Sequence, residues 1–333
     1  MSTGDGLAAA GIHRLAIPTP FAVGRVNVYL VEDDPLTLVD VGPNSGKSLD
    51  ALERALAEHG RRVEDLQRLV LTHQHMDHTG LAGIVARRSG AEVAALDRMA
   101  PVLEEFGAWM ERDDELAEAI MRRHGIPPDV VTVLRAVSRA YRGWGGGADL
   151  SHPLPDGGRL EFAGRSWEVL HRPGHSPSDT LFWDAERAQL VAGDHLLGHI
   201  SSNPLISRPL GGRSGDPAAG RPRALVNYIR SLKETQALPA AVVLPGHGEL
   251  VTGHAALIDE RLGLHERRAE KILGLITEQP RTAHELAQAI WGNVAVTQAF
   301  LTLSEVLGHV DLLLDRGLVA EEELGGVVRF APA

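Results

Sequence analysis

Thr72-His73-Gln74-His75-Met76-Asp77-His78 follows the apolar run Leu69-Val70-Leu71 without a break. That run is short, β-rich and bounded by polar residues, so it reads as a buried strand that delivers the cluster at its C-terminal end. Residues i and i+2 of an extended chain point alike, so His73 and His75 present two imidazoles on one side. Asp77 and His78 follow at once, which puts four metal-competent side chains within residues 73–78. Surface histidines at a helix start would account for a lone His-x-His. They do not account for His-x-His-x-Asp-His behind a buried strand.

Three further segments repeat the pattern of strand, turn and ligand-type residue. Arg172-Pro173-Gly174-His175 follows the strand-like Trp167–Leu170, Gly193-Asp194-His195 follows Gln189–Ala192, and Pro245-Gly246-His247-Gly248 follows Ala241–Leu244. The glycines let the backbone turn sharply and carry each side chain toward a shared point. The chain has no cysteine, so disulfides, thiolate nucleophiles and Cys-type zinc sites are excluded. Any metal must be held by His, Asp or Glu, a donor set that suits Zn, Mn or Fe.

With these motifs in order across residues 15–252, the chain resembles the metallo-β-lactamase-fold hydrolases. The resemblance implies an α/β fold, an αββα sandwich with two divalent metal ions, Zn2+ first, at one edge of two sheets. It implies that His73, His75 and His175 hold one ion. Asp77, His78 and His247 would hold the other, with Asp194 bridging and Asp40 supporting the site without binding metal. Two cations about 3.5–4 Å apart share a water and lower its pKa from ~15.7 toward ~7, giving a bridging hydroxide as nucleophile. Asp77 and Asp194 are thus the expected catalytic carboxylates.

The remaining sequence divides around this site. Residues 1–255 read as the catalytic domain, interrupted at about 97–147 by a helical insertion that either covers the core or serves as a substrate lid. Residues 256–333 read as a small winged-helix-like domain: the capping-box spacing Thr282-x-x-Glu285, an apolar stripe at Phe300, Leu303, Leu307, Val310 and Leu314, then a hairpin about Gly325-Gly326. The long segment 196–223 is rich in Gly, Ser, Pro and Arg, and loops of that length tend to be functional. His199, Ser201, Ser202, Asn203, Arg208 and Arg213 within it are candidates to bind an anionic group on a substrate. His171 and His195 are expected behind the ligands or in packing. His13, His59, His124, His254, His265, His284 and His309 have no ligand-like company and read as core or surface residues.

Asp194 stands where lactamases usually carry Cys or Ser, which moves the reading toward the glyoxalase-II-like and nuclease-like branches. In layout the chain most resembles the lactamase-β-like protein 2 subfamily, which includes a single-strand endoribonuclease. The formal net charge of −11 argues against nucleic acid and anionic membranes as partners. From Glu266 onward ten acidic residues face six basic ones, the wrong balance for a winged helix that grips phosphates. The C-terminal region is then expected to shape the pocket or to support a homodimer. A small ester, thioester or lactone is the leading substrate class, with a phosphodiesterase and a DNA-binding, metal-sensing regulator as alternatives. No stretch is apolar enough to span a bilayer, and residues 1–10 lack a basic n-region, so the cytoplasm is the default location.

Overall fold

The computed structural model describes residues 3–211 and 221–333. The first sheet contains β1 (Ile12–Ile17), β2 (Val26–Val31), β3 (Thr37–Val39), β4 (Arg68–Val70), β5 (Glu92–Leu96) and β6 (His152–Leu154), in that order. The second contains β7 (Arg159–Glu161), β8 (Ser166–His171), β9 (Thr180–Asp184), β10 (Gln189–Gly193) and β11 (Val242–Pro245), ordered β11-β10-β9-β8-β7. A separate hairpin, β12 (Val319–Leu324) with β13 (Val327–Pro332), turns at the two glycines noted in the sequence. The helices are α1 (Thr3–Ala9), α2 (Gly46–Glu58), α3 (Met76–Thr79), α4 (Ala82–Ser89), α5 (Ala100–Glu104), α6 (Phe106–Arg123), α7 (Pro128–Tyr141) and α8 (Ala224–Gln236). They continue with α9 (His254–Glu278), α10 (Ala283–Trp291), α11 (Val294–Thr297) and α12 (Ala299–Asp315).

Strand alternation builds the layers. Tyr29, Val31, Val39 and Val70 of the first sheet meet Trp167, Val169, Phe182, Val191 and Leu244 of the second in one core. The alternate residues Val28, Leu30, Leu38 and Leu69 face outward against Leu52 and Leu56 of α2 and Val85 of α4. Leu181, Trp183, Leu190 and Val243 cover the outer face of the second sheet, toward Leu257 of α9. Helix, sheet, sheet, helix is the αββα sandwich expected from the sequence, and it explains why the central strands are apolar on both faces.

The insertion is helical as expected, but its packing was not legible locally. Ile120 and Met121 of α6, Ile126 and Val131 share a core with Ile272, Ile276, Leu286, Leu303, Leu307 and Phe330. The buried face of the insertion is thus joined to the C-terminal helices and hairpin. Val102 and Leu103 lie on α5, which ends in a break at Glu105 (φ −111°), and α6 begins at Phe106. β1 and β6 also escaped the sequence reading. β3 ends at Val39, because Asp40 adopts φ 58°.

His124 lies at the seam between the insertion and the C-terminal helices. Its ring stacks on Phe330 with centroids 5.9 Å apart, and its carbonyl accepts from the His284 N–H. Burial, aided by Arg221 and Arg123, pulls its pKa from 6.5 to about 3. The unfolded chain therefore takes up this proton first, so the stability tied to neutral His124 is complete above pH 6.5 and is lost as pH falls toward 3. Unfolding free energies from urea titrations between pH 7 and pH 5 should fall more steeply for the wild type than for His124→Phe, by up to ~1.4 kcal/mol per pH unit. Equal slopes would show that His124 is not buried neutral.

Candidate metal centre

β3 runs parallel to β4, and β10 to β11. β8 and β10 are each antiparallel to β9, so they share a direction. Asp40, His73, His175, Asp194 and His247 each follow the C-terminal end of one of these five strands. Backbone bonds stitch the two sheets together at that edge: Thr180 N–H donates to Thr72 O at 2.9 Å, and Asn27 N–H to Gly246 O at 2.6 Å. Two glycines make the approach possible. Gly193 has φ 49°, where β10 breaks register. A Cβ on Gly246 would lie 2.2 Å from Asp194 Oδ1 and 2.7 Å from His78 Cε1.

The ligand-type atoms converge in two overlapping groups. His73 Nε2 lies 3.1 Å from His75 Nδ1, which lies 2.9 Å from His175 Nε2. On the other side Asp77 Oδ2 lies 3.2 Å from His247 Nε2, and His78 belongs to the same group. The Asp194 carboxylate sits between them. One oxygen is 3.4 Å from His78 Nε2; the other is 3.7 Å from His175 Nε2 and 3.5 Å from His247 Nε2.

The outward-facing nitrogens of these rings are held from behind. His78 Nδ1 donates to Asp40 Oδ2 at 2.7 Å, and His247 Nδ1 to the Arg25 carbonyl at 2.7 Å. His175 Nδ1 donates to the Asn203 carbonyl at 3.1 Å. His73 Nδ1 meets the Thr72 hydroxyl at 3.0 Å, and that hydroxyl donates to Asp40 Oδ2 at 2.8 Å. Asp40 thus steadies one imidazole of each group, while its other oxygen accepts the Thr72 N–H. Its left-handed φ is uncommon for a non-glycine residue and persists because these bonds fix it.

Electrostatics make the same point. Burial opposes charge on His78, yet Asp194, Asp40 and Asp77 outweigh it and hold its pKa well above the usual range. Burial would likewise raise Asp194, but His78, His247 and His175 keep it well below the usual range. Desolvation, with His175 beside it, brings the half-buried His75 down to about 3. Three buried carboxylates in one cluster demand compensating positive charge. His78 Nε2, His247 Nε2 and Asp194 Oδ1 are buried without a hydrogen-bond partner among the described residues, although Nδ1 of each of the two imidazoles is engaged. Unpartnered atoms aimed at common points, with the imidazoles held from behind, fit bound cations.

The other candidate residues take varied places. His195 points away from the centre, to Thr235 Oγ1 at 3.0 Å and edge-on to Tyr228. His171 bonds the Pro177 carbonyl at 2.9 Å and so braces the turn that carries His175. The Ser202 hydroxyl donates to the Asp194 backbone carbonyl, and Asn203 supplies the carbonyl behind His175. Ser201 is exposed, and so is His199, whose ring lies over Gly248. Arg208 is stacked over Trp109 at 4.7 Å. Arg213 lies outside the described residues.

Several supporting residues were missed. Thr72 couples His73 to Asp40, Ser178 Oγ accepts the Gln74 N–H, and Asn27 and Tyr29 both bond the Pro245 carbonyl. Only Thr72, adjacent to the motif, carried a local signal.

If Asp40 orients one imidazole of each group, Asp40→Ala should weaken zinc affinity ~10–100-fold in a chelator competition, with the circular dichroism of the fold retained. Unchanged affinity would reduce Asp40 to a turn residue.

Comparisons with known proteins place this geometry. The family model described as the metallo-beta-lactamase superfamily matches residues 22–247. A probable metallo-hydrolase of Bacillus subtilis (strain 168), YqjP, is 33% identical over 95% of this chain and 96% of its own length. An atrochrysone carboxyl ACP thioesterase of Aspergillus fumigatus is 24% identical over 79% of this chain, which spans 62% of that relative. The crystal structure of the metallo-beta-lactamase family protein TTHA1429 from Thermus thermophilus superposes with a TM-score of 0.80 at 28% identity, covering 97% of this chain and 99% of that one. On the strength of that match and of a relative similar along nearly its whole length, the chain belongs to the metallo-beta-lactamase superfamily of metallo-hydrolases.

Proposed function

We propose that the chain is a dinuclear zinc-dependent hydrolase of a small ester, thioester or lactone, with an acyl thioester as the leading substrate. His73, His75 and His175 hold one ion, Asp77, His78 and His247 the other, and Asp194 lies between them. The observation that carries this reading is the Asp194 carboxylate, whose two oxygens face both groups at 3.4–3.7 Å. When bound, the cation pair supplies Lewis acidity and a water of lowered pKa. Asp77, kept ionised against burial by His78 and His247, accepts a hydrogen bond from the attacking water and orients it. Asp40, Arg25 O and Asn203 O hold the imidazoles in place while charge develops on the substrate.

The thioester preference rests on the acyl-carrier thioesterase among the relatives, together with the acidic surface. Arg281, Arg316 and Arg329, half of the basic residues after Glu266, are engaged with Glu278, Glu266 and Glu285. Arg268 is stacked over Trp291 at 4.9 Å. The winged-helix-like C-terminal region thus has few free cations for a phosphate backbone, which supports a role in shaping the pocket over one in binding DNA. Among the described residues no helix is long and apolar enough to cross a membrane.

Zinc-loaded protein assayed on acyl thioesters, esters, lactones, bis-p-nitrophenyl phosphate and single-stranded RNA is expected to cleave the acyl substrates. Cleavage of phosphodiesters alone would overturn the substrate class, and no turnover with strongly salt-dependent DNA binding would favour a regulator. Asp194→Ala should retain the fold, lose one ion per chain and lose more than the ~100-fold in turnover expected of a supporting residue.

A further inference from the structure

His265 and His309 are far apart in sequence and have no ligand-type motif around them, yet the packing of α9 on α12 brings their rings together. His265 Nδ1 lies 3.3 Å from His309 Nε2, and both side chains are buried. Glu305 stands one helical turn before His309, and one ligand atom from each of the three residues falls within 4.8 Å of the others. We propose that His265, Glu305 and His309 form a separate binding site for a borderline divalent cation, Zn2+ first, independent of the centre at the sheet edge.

The spacing of His265 and His309 and the tautomer of His309 suit such a site. With Zn–N bonds of about 2.0–2.1 Å, two imidazole nitrogens on a tetrahedral ion stand about 3.3–3.4 Å apart. His309 Nδ1 donates to the Glu305 backbone carbonyl at 2.7 Å, which fixes the tautomer and leaves Nε2 as a lone pair facing His265. Burial lowers both imidazoles to about 4, so they are neutral donors at neutral pH. Metal sites built from facing helices in a bundle core commonly use a carboxylate and a histidine on one helix face.

An entry path is present as well. Glu305 lines a cavity of about 280 Å³ together with Ser201, Asn203, Arg268, Gln298 and Thr302. Three protein ligands leave a fourth position open toward that space for water or a small anion. Arg268 stands 3.9 Å from the Glu305 carboxylate, a contact long enough for an ion to replace. The site also has a structural reach. Leu301 O and Ser304 Oγ on the same helix bond Asn203 and Ile206, in the segment whose carbonyl at position 203 orients His175.

Zinc content after equilibrium dialysis should be about one ion per chain lower in His265→Gln, Glu305→Gln and His309→Gln than in the wild type. Because these differences are taken against the wild type, they hold whether or not the sheet-edge centre is dinuclear. Crystals of the wild type soaked in zinc should show an anomalous peak between α9 and α12, a reading that needs no variant to fold. Equal zinc content in the wild type and all three variants, or a map without that peak, overturns the proposal.

Discussion

Three carboxylates, Asp40, Asp77 and Asp194, are buried within reach of one another at the edge of two sheets, and the structure is arranged around compensating them. An ionised carboxylate taken out of water is costly unless it is paired and hydrogen-bonded. Here Asp40 is satisfied by Thr72 and His78, which frees the far nitrogen of His78 to face Asp194. Among the described residues Asp77 and Asp194 pair only with imidazoles. The cluster is therefore a place where positive charge is stabilised more than protein groups alone supply, and that is the physical origin of its fit to cations.

The sandwich supplies this arrangement without exposing the core. Parallel strands bring several C-terminal ends to one edge, so residues from widely separated segments meet while the strands stay apolar on both faces. Close approach then depends on missing side chains, since a methyl group on Gly246 would occupy the space of the Asp194 carboxylate. Behind the ligands, the insertion and the C-terminal helices share a second core, and α12 holds the segment that orients His175. Packing far from the centre is thereby coupled to the placement of one of its imidazoles.

Much of this was legible in the sequence because the strongest signals are local. His73 to His78 fall on one turn, and His175, Asp194 and His247 each follow an apolar strand and a glycine, so residue type and position were enough to nominate them. The role of Asp40 was not decidable that way, because it rests on a relay through Thr72 and a ring 38 residues away. Side-chain direction was equally hidden. Ser202 and Asn203 look like a polar loop ready for a substrate, yet the hydroxyl of one and the carbonyl of the other face the ligands. Besides α7, α6 packs against residues more than 140 positions downstream, so its buried face showed no complete periodicity that its own segment could explain.

If Asp194 joins two cation sites into one centre, two bound ions are held within coupling distance. Electron paramagnetic resonance of protein loaded with two equivalents of Mn2+ addresses this most directly, since ions about 3.5–4 Å apart interact magnetically. A spin-coupled signal is expected in the wild type, collapsing to isolated-ion spectra in Asp194→Ala. Isolated-ion spectra from the wild type at every loading would contradict it.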